Sequence, residues 1–418
     1  MKVLVSTFAA TALLAAPALA QNAAVLWNDA ALAAIRATNT PPPRASRNLA
    51  ILYAAVFDAA NGIRPAYDAY LVAPTAPSSA DRTAAVASAG HAVLLALWPT
   101  QAANFTTVRD GLLASVTNPA RRQQGIAWGD AVALQILSAR ATDGANAVLA
   151  YPGSTTPGMW RPTVSFGGNV LPALLPHWGY VTPFAVADVS ALQPEPPPAL
   201  ASAEYAAEVG VTQAIGRSTS STRTAEQTEI ARFWAYGPNT ATPPGHWNDI
   251  ARDIAIARHL DLVESARMFA LLNFAMADAA IACWRAKYDI GLWRPITAIQ
   301  LADQDGNAAT TADPSWTPLL PTPPFPEYTS GHSTFSGAAA SVLARFYRTD
   351  AIAFAARSDD LPGVVRTYTS FSAAAYESGM SRIYGGIHFP SGNFGGLQVG
   401  VLIGREVAAT KLRRRGSN

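Results

Sequence analysis

Cysteine is all but missing from this chain: Cys283 stands alone among 418 residues. No intrachain disulfide can therefore staple the fold, whatever compartment it occupies. Cys283 lies in an apolar helical run and reads as a buried, inert thiol. Charge is also scarce and nearly balanced, with 14% charged residues and a net charge of +2. That excludes the electrostatic footprint of a nucleic-acid binder. The basic tail, Lys411 and Arg413 to Arg415, reads as cations at the end of a last helix, where the helix dipole favours them. Beyond the first twenty residues no stretch holds eighteen uninterrupted apolar residues, so no bilayer-spanning helix is expected in the mature chain. Runs of alternating β-branched residues are rare, which argues against a sheet protein.

What is present begins with a leader-like segment. Lys2 supplies a charged start, Val3 to Leu14 is apolar apart from Ser6, Thr7 and Thr11, and Ala18-Leu19-Ala20 precedes Gln21. This pattern predicts a secretory signal over residues 1–20, cleaved near Ala20, and a secreted or periplasmic mature protein. Half of the residues are hydrophobic, enough for a large core.

Helical periodicity dominates the rest. One face carries Leu49, Leu52, Val56 and Ala60 in a segment starting near Ser46. Val86–Leu97, Ile126–Arg140, Ala201–Ile215 and Ile230–Tyr236 are similar. Arg252–Lys287 has room for two helices, and His332–Tyr347, Val364–Ser381 and Gly395–Leu412 complete the set. The fold class expected is all-α. Tyr151–Pro198, rich in Gly and Pro and carrying Trp160 and Trp178, reads as a long loop packed over the helical body. Asp303–Tyr328 is a proline-rich connection. The polar stretch Ser218–Thr224 suggests a boundary between an N-terminal bundle, 21–217, and a C-terminal one, 218–418.

Three short pieces in the last third carry chemistry. Lys287 and Arg294-Pro295 come first. Gly291 and Pro295 predict a helix break that leaves Arg294 near a helix end. Arg offers a rigid fork to oxyanion oxygens, Lys a mobile point charge. Ser330-Gly331-His332 comes next and opens an apolar helix. Ser330 suits an N-cap, Gly331 allows close approach to the backbone, and the helix N-terminus favours an anion. His332 sits where a proton could be exchanged. Arg382 and His388 then flank Tyr384-Gly385-Gly386, a turn that can bring both side chains together. Three cations, two histidines and one backbone cradle suit a tetrahedral oxyanion.

The order Lys-x6-Arg-Pro, Pro-Glu-Tyr-Thr-Ser-Gly-His and Ser-Arg-x5-His resembles the vanadium-dependent haloperoxidases, which share an ancestral helical fold with type-2 phosphatidic acid phosphatases. The resemblance runs from about Glu226 to Gly400. Arg47–Asn61 and Thr240–Asn248 add a likeness to soluble bacterial members. It implies two packed helical bundles with long Pro/Gly-rich loops, the C-terminal bundle carrying the site. It further implies that Lys287, Arg294, Ser330, the Gly331 N–H and Arg382 bind vanadate, that His388 coordinates the metal, and that His332 is the acid–base group. Hydrogen peroxide would form a peroxovanadate, with Lys287 polarising the peroxide, and a halide would attack that oxygen and leave as hypohalous acid. Trp284 and Phe325 match the aromatic halide pocket of chloride-oxidising members.

Two departures bear on activity. Family members commonly carry a carboxylate after Phe-Trp that holds the acid–base histidine; Phe233-Trp234 is followed by Ala235-Tyr236-Gly237-Pro238. They often have Asp four residues after the axial histidine; Gly392 stands there, followed by Asn393. Asp249, Glu327 and Asp278 are candidates to hold His332. The same ligand set also suits an acid phosphatase, with phosphate in place of vanadate, His388 as phosphorylated nucleophile, His332 as general acid and a phosphate ester as substrate. A third reading is an exported oxyanion-binding protein without turnover. Under the first, the partners are hydrogen peroxide, halide and an organic acceptor. His91, His177, His246 and His259 lack paired metal-ligand spacing and read as structural; Pro243–Trp247, around His246, suggests a shaped loop near the site.

Overall fold

The computed structural model describes residues 22–416; the leader expected over residues 1–20 lies outside them. Thirteen α-helices run along the described chain. The first five are α1 (Ala23–Thr38), α2 (Pro42–Asn61), α3 (Arg82–Leu97), α4 (Ala102–Ala114) and α5 (Pro119–Arg140). After the long loop come α6 (Ala203–Gly216), α7 (Ala225–Phe233), α8 (Thr242–Ala257) and α9 (Leu262–Ile290). The series closes with α10 (Pro295–Gln300), α11 (Gly331–Tyr347), α12 (Phe371–Tyr384) and α13 (Pro390–Thr410). The all-α expectation holds, and α1, α4 and the short α10 extend the expected set.

Helix α9 is the axis of the molecule. Asp261 caps it by accepting from the Glu264 N–H at 2.8 Å, and Glu264 places a negative charge in the first turn. It is long and apolar enough to cross a membrane, but 94% of its most apolar window is buried inside the protein. It is apolar all round because neighbours cover every side. Tyr53 of α2 stacks on its Phe269 with centroids 4.6 Å apart. One apolar cluster joins Trp27 and Ile51 of the first half to Leu271, Val342 and Ile403 of the second. Helices α11 and α13 meet closely: a Cβ on Gly400 would lie 2.2 Å from the Thr334 carbonyl oxygen.

Two segments differ from expectation. Val364–Ser381 is not one helix. Val365–Tyr368 forms strand β2, antiparallel to β1 (Phe354–Arg357), with Phe354 opposite Tyr368 and Arg357 opposite Val365. The helix begins only at Phe371, capped by Ser370. Alternation decides it: Tyr368 turns inward onto Phe354, centroids 5.4 Å apart, while Val365 is exposed. Pro243–Trp247 is not a loop but the first turns of α8. Prolines are tolerated there because first-turn N–H groups have no intrahelical acceptor.

The long loop does pack on the body, with Trp160 and Trp178 buried. Asp278 of α9 holds it, accepting N–H bonds from Phe184 (2.6 Å), Ala185 (2.8 Å) and Val186 (2.7 Å). Further along, the Leu174 carbonyl takes the Trp284 indole N–H at 3.1 Å and the Tyr288 hydroxyl at 2.7 Å.

Candidate active site

The break after α9 occurs where Gly291 adopts φ +67°, and Arg294 becomes the N-cap residue of α10. The two cations therefore leave the helix on different backbones. Lys287 is fully buried, and its Nζ donates to the carbonyls of Pro326 and Glu327, both at 3.0 Å, and of Thr329. Those three bonds use every donor an ammonium has. Arg294, also fully buried, donates from Nε to the Phe325 carbonyl (2.7 Å) and from Nη1 to the Ile387 carbonyl (2.8 Å). Its Nη2 is buried without a partner.

Ser330 caps α11 as expected, its hydroxyl accepting from the Ser333 N–H at 3.3 Å. Gly331 is the first helical residue. A Cβ there would sit 3.6 Å from the Trp284 ring, in ordinary contact, so packing does not demand glycine. The missing side chain leaves open space at the helix N-terminus, where backbone N–H groups face outward.

Arg382 lies in the last turn of α12 and His388 follows it across Gly385 and Gly386, the latter at φ +73°. Arg382 donates from Nη1 to the Trp234 carbonyl at 3.2 Å, and its Nε is buried without a partner. His388 lies with Nε2 3.1 Å from Arg294 Nη1 and Nδ1 2.7 Å from Glu327 Oε1.

Gly331, His332, Arg382 and His388 line one cavity of about 220 Å³ together with Trp284 and Phe325, whose ring centroids are 5.0 Å apart. Lys287, Arg294 and Ser330 lie buried behind that wall, Arg294 tied to it through His388. Leu171, Leu174, Pro323 and Pro324 from the two long loops cover it, beside Tyr236 and Phe335. The indole N–H of Trp284 is spent on Leu174, so the pocket meets the ring's apolar body.

Crowding these cations in a dry site is costly. Burial pulls Arg382 down to about 9, with the charge of Arg294 adding to it. Burial likewise brings Arg294 to about 10, against the opposing pull of Glu327. Lys287 is lowered mainly by burial, and Glu327 is raised mainly by burial against Lys287 and Arg294. Both histidines stay far below the ordinary imidazole value, through burial first; then Arg382 acts on His332, and Arg294 and Lys287 on His388.

A multivalent oxyanion answers this arrangement. Arg294 Nη2, Arg382 Nε and His332 Nε2 are buried polar atoms without partners, and each belongs to this site. The donor set, two forks, a helix N-terminus and an imidazole, fits vanadate's oxygens and its metal alike.

None of the three acids considered for His332 reaches it. Asp278 holds the long loop. Asp249 pairs with Arg36 at 2.9 Å and Arg252 at 2.8 Å. Glu327 binds His388 instead. The backbone at Trp234 and Ala235 favours the charged form of His332, against the larger effect of burial, and its Nε2 is buried without a partner. The segment after Phe233-Trp234, where family members commonly carry a carboxylate, thus brings backbone to His332. Cys283 is buried, 3.5 Å from the Thr329 carbonyl. Among the remaining histidines, His177 contacts the Ala145 carbonyl (3.2 Å) and His91 the Thr106 hydroxyl (3.3 Å).

The model of the VCPO second helical-bundle domain matches residues 267–415. Vanadium chloroperoxidase of Curvularia inaequalis is 32% identical over 247 residues, 45% of this chain and 40% of that protein's length. A solved bacterial vanadium-dependent iodoperoxidase superposes with a TM-score of 0.83 at 29% identity, covering 94% of this chain and 97% of that one. A holo-type bacterial vanadium-dependent chloroperoxidase shares the fold, with a TM-score of 0.71 at 18% identity over 89% of this chain and 93% of that one.

Proposed function

The chain belongs to the vanadium haloperoxidase family, and from that premise we propose that it binds vanadate and oxidises halide with hydrogen peroxide to hypohalous acid. The observation that carries this reading is that Arg382 and His332, whose Nε and Nε2 are unpartnered, line one apolar-walled cavity, with the unpartnered Arg294 Nη2 buried behind its wall beside His388. Arg294, Arg382, Ser330 and the Gly331 N–H would hold the oxygens, and His388 Nε2 would ligate the metal. Bound vanadate would supply Lewis acidity that activates peroxide toward halide.

The protein's own groups prepare that chemistry. The two guanidinium forks neutralise the anion in a site from which water is largely excluded, where each charge-assisted hydrogen bond contributes roughly 1.5–3 kcal/mol. Lys287 must leave at least one carbonyl to reach the anion, and its mobile stem allows that. His332, neutral with Nε2 free, takes the proton of incoming hydrogen peroxide. Trp284 and Phe325 offer the halide an apolar wall beside the cations. The leader pattern of residues 1–20 supports export, and the polar stretch Ser218–Thr224 supports a C-terminal bundle, 218–418, carrying the site.

The test is oxidation of iodide, bromide and chloride by the metal-stripped chain from Gln21, with and without added orthovanadate. Vanadate-dependent turnover is the expected result. Failure with all three halides at saturating vanadate, with hydrolysis of a phosphate ester that vanadate inhibits, overturns the reading.

A further inference from the structure

The imidazole of His388 is held from both sides, and the two contacts fix where its proton lies. On one side Arg294 Nη1 approaches Nε2 at 3.1 Å. A guanidinium has only donors, so Nε2 must present its lone pair. The proton therefore sits on Nδ1, 2.7 Å from Glu327 Oε1, and Nδ1–H donates to that oxygen. The same oxygen accepts the Phe389 N–H at 3.0 Å, at the start of α13. Glu327 is fully buried and its Oε2 has no partner. A buried carboxylate in such surroundings is costly unless something requires it.

Position 392 says where this carboxylate sits. A Cβ on Gly392 would lie 2.3 Å from Glu327 Oε1 and 2.7 Å from Oε2. The glycine is needed because Glu327 fills the space its side chain would take. Glu327 and Gly392 are thus one arrangement: a carboxylate delivered from the loop before α11 instead of from the first turn of α13.

We infer that Glu327 is the positioning residue of His388, fixing the ring so that Nε2 keeps its lone pair and faces the oxyanion site. Its purely structural alternative is a cap on the Phe389 N–H that secures the entry to α13. The two roles separate experimentally, because a cap affects stability alone. The orientation itself holds for any oxyanion; its use in ligating vanadate rests on the function proposed above.

The experiment combines a tautomer measurement with anion affinity on the full mature chain. Histidine ring nitrogens are labelled with ¹⁵N, and His388 is assigned by the signals lost in His388→Gln. The expected spectrum without vanadate shows His388 protonated at Nδ1 and bare at Nε2. In Glu327→Ala the tautomer becomes mixed and orthovanadate affinity, measured by calorimetry, falls about 10–100-fold. Glu327→Gln keeps a carbonyl acceptor for Nδ1–H and stays near the wild-type affinity. Glu327→Ala combined with Gly392→Asp recovers affinity, because the second change refills the vacated space with a carboxylate.

A wild-type His388 protonated at Nε2 overturns the inference, as does a folded Glu327→Ala that binds orthovanadate like wild type. Failure of Gly392→Asp to recover any affinity overturns the shared-space argument. Should Glu327→Ala not fold, the wild-type spectrum and Glu327→Gln still decide. Should wild type bind no orthovanadate and oxidise no halide, the function proposed above fails, while the His388 tautomer still decides this inference.

Discussion

His246 lies flat on Tyr236, with ring centroids 4.3 Å apart and 17° between planes, and neither of its ring nitrogens has a side-chain or backbone partner within bonding geometry. Trp234 packs on its other flank at 4.5 Å. Burial pushes the imidazole down to about 3 from an ordinary 6.5. Above about pH 6.5 the ring is neutral in folded and unfolded chains alike. Below that the unfolded chain takes up a proton the folded chain refuses. Stability therefore falls as pH falls toward about 3, by up to about 1.4 kcal/mol per unit for this group. His246→Phe keeps the stack and removes the titration. Urea unfolding should show the variant gaining on wild type between pH 7 and pH 5; a constant difference across that range would refute the account.

Arg294→Lys should damage both fold and site. A lysine ammonium carries its donors on one nitrogen and cannot span the Phe325 and Ile387 carbonyls and an anion, whereas Arg294 binds the two carbonyls from Nε and Nη1 and keeps Nη2 free. Losing one charge-assisted bond to the anion corresponds to roughly a ten- to hundredfold weaker affinity. Orthovanadate titration measures it, and thermal unfolding should report a lower midpoint in the absence of anion.

Gly400→Ala tests whether the α11–α13 contact supports the site. The added Cβ would meet the Thr334 carbonyl at 2.2 Å and the Ala338 nitrogen at 2.8 Å. Backbone atoms cannot step aside as a side chain can, so α11 must shift. A destabilisation of about 1–3 kcal/mol is expected, with weaker oxyanion binding because Gly331 and His332 open that helix. Unchanged stability would mean the helices separate freely.

Phe325→Ala should alter the halide profile. The ring lies 4.8 Å from Lys287 Nζ and 4.8 Å from the Arg294 guanidinium carbon, shielding both from water. Removing it admits water, and chloride, the most strongly hydrated of the three halides tested, then loses more turnover than iodide. Parallel chloride and iodide assays at saturating vanadate check this; equal losses would remove Phe325 from halide selection.

The local chemistry of the site was legible in the sequence because each cue acts within a few residues. Gly291 and Pro295 announced the break that frees Arg294, and Ser330 announced the start of α11. Helical periodicity marked most of the bundle for the same reason, since one turn is read from residues three and four apart. Where local signals competed, sequence misled: two prolines disguised the first turn of α8, and four residues of β2 were absorbed into the helix expected beside them.

Tertiary packing decided the partnerships. Nothing near Glu327 indicates that it serves His388 rather than His332, because the two residues are 61 positions apart and meet only when α13 packs beside the loop entering α11. Nothing near His332 indicates that the backbone at Trp234 and Ala235 comes to lie beside it, because every residue carries the same backbone groups. The sequence determined which groups carry charge and protons; packing determined which of them are buried together, and burial sets their protonation and strength.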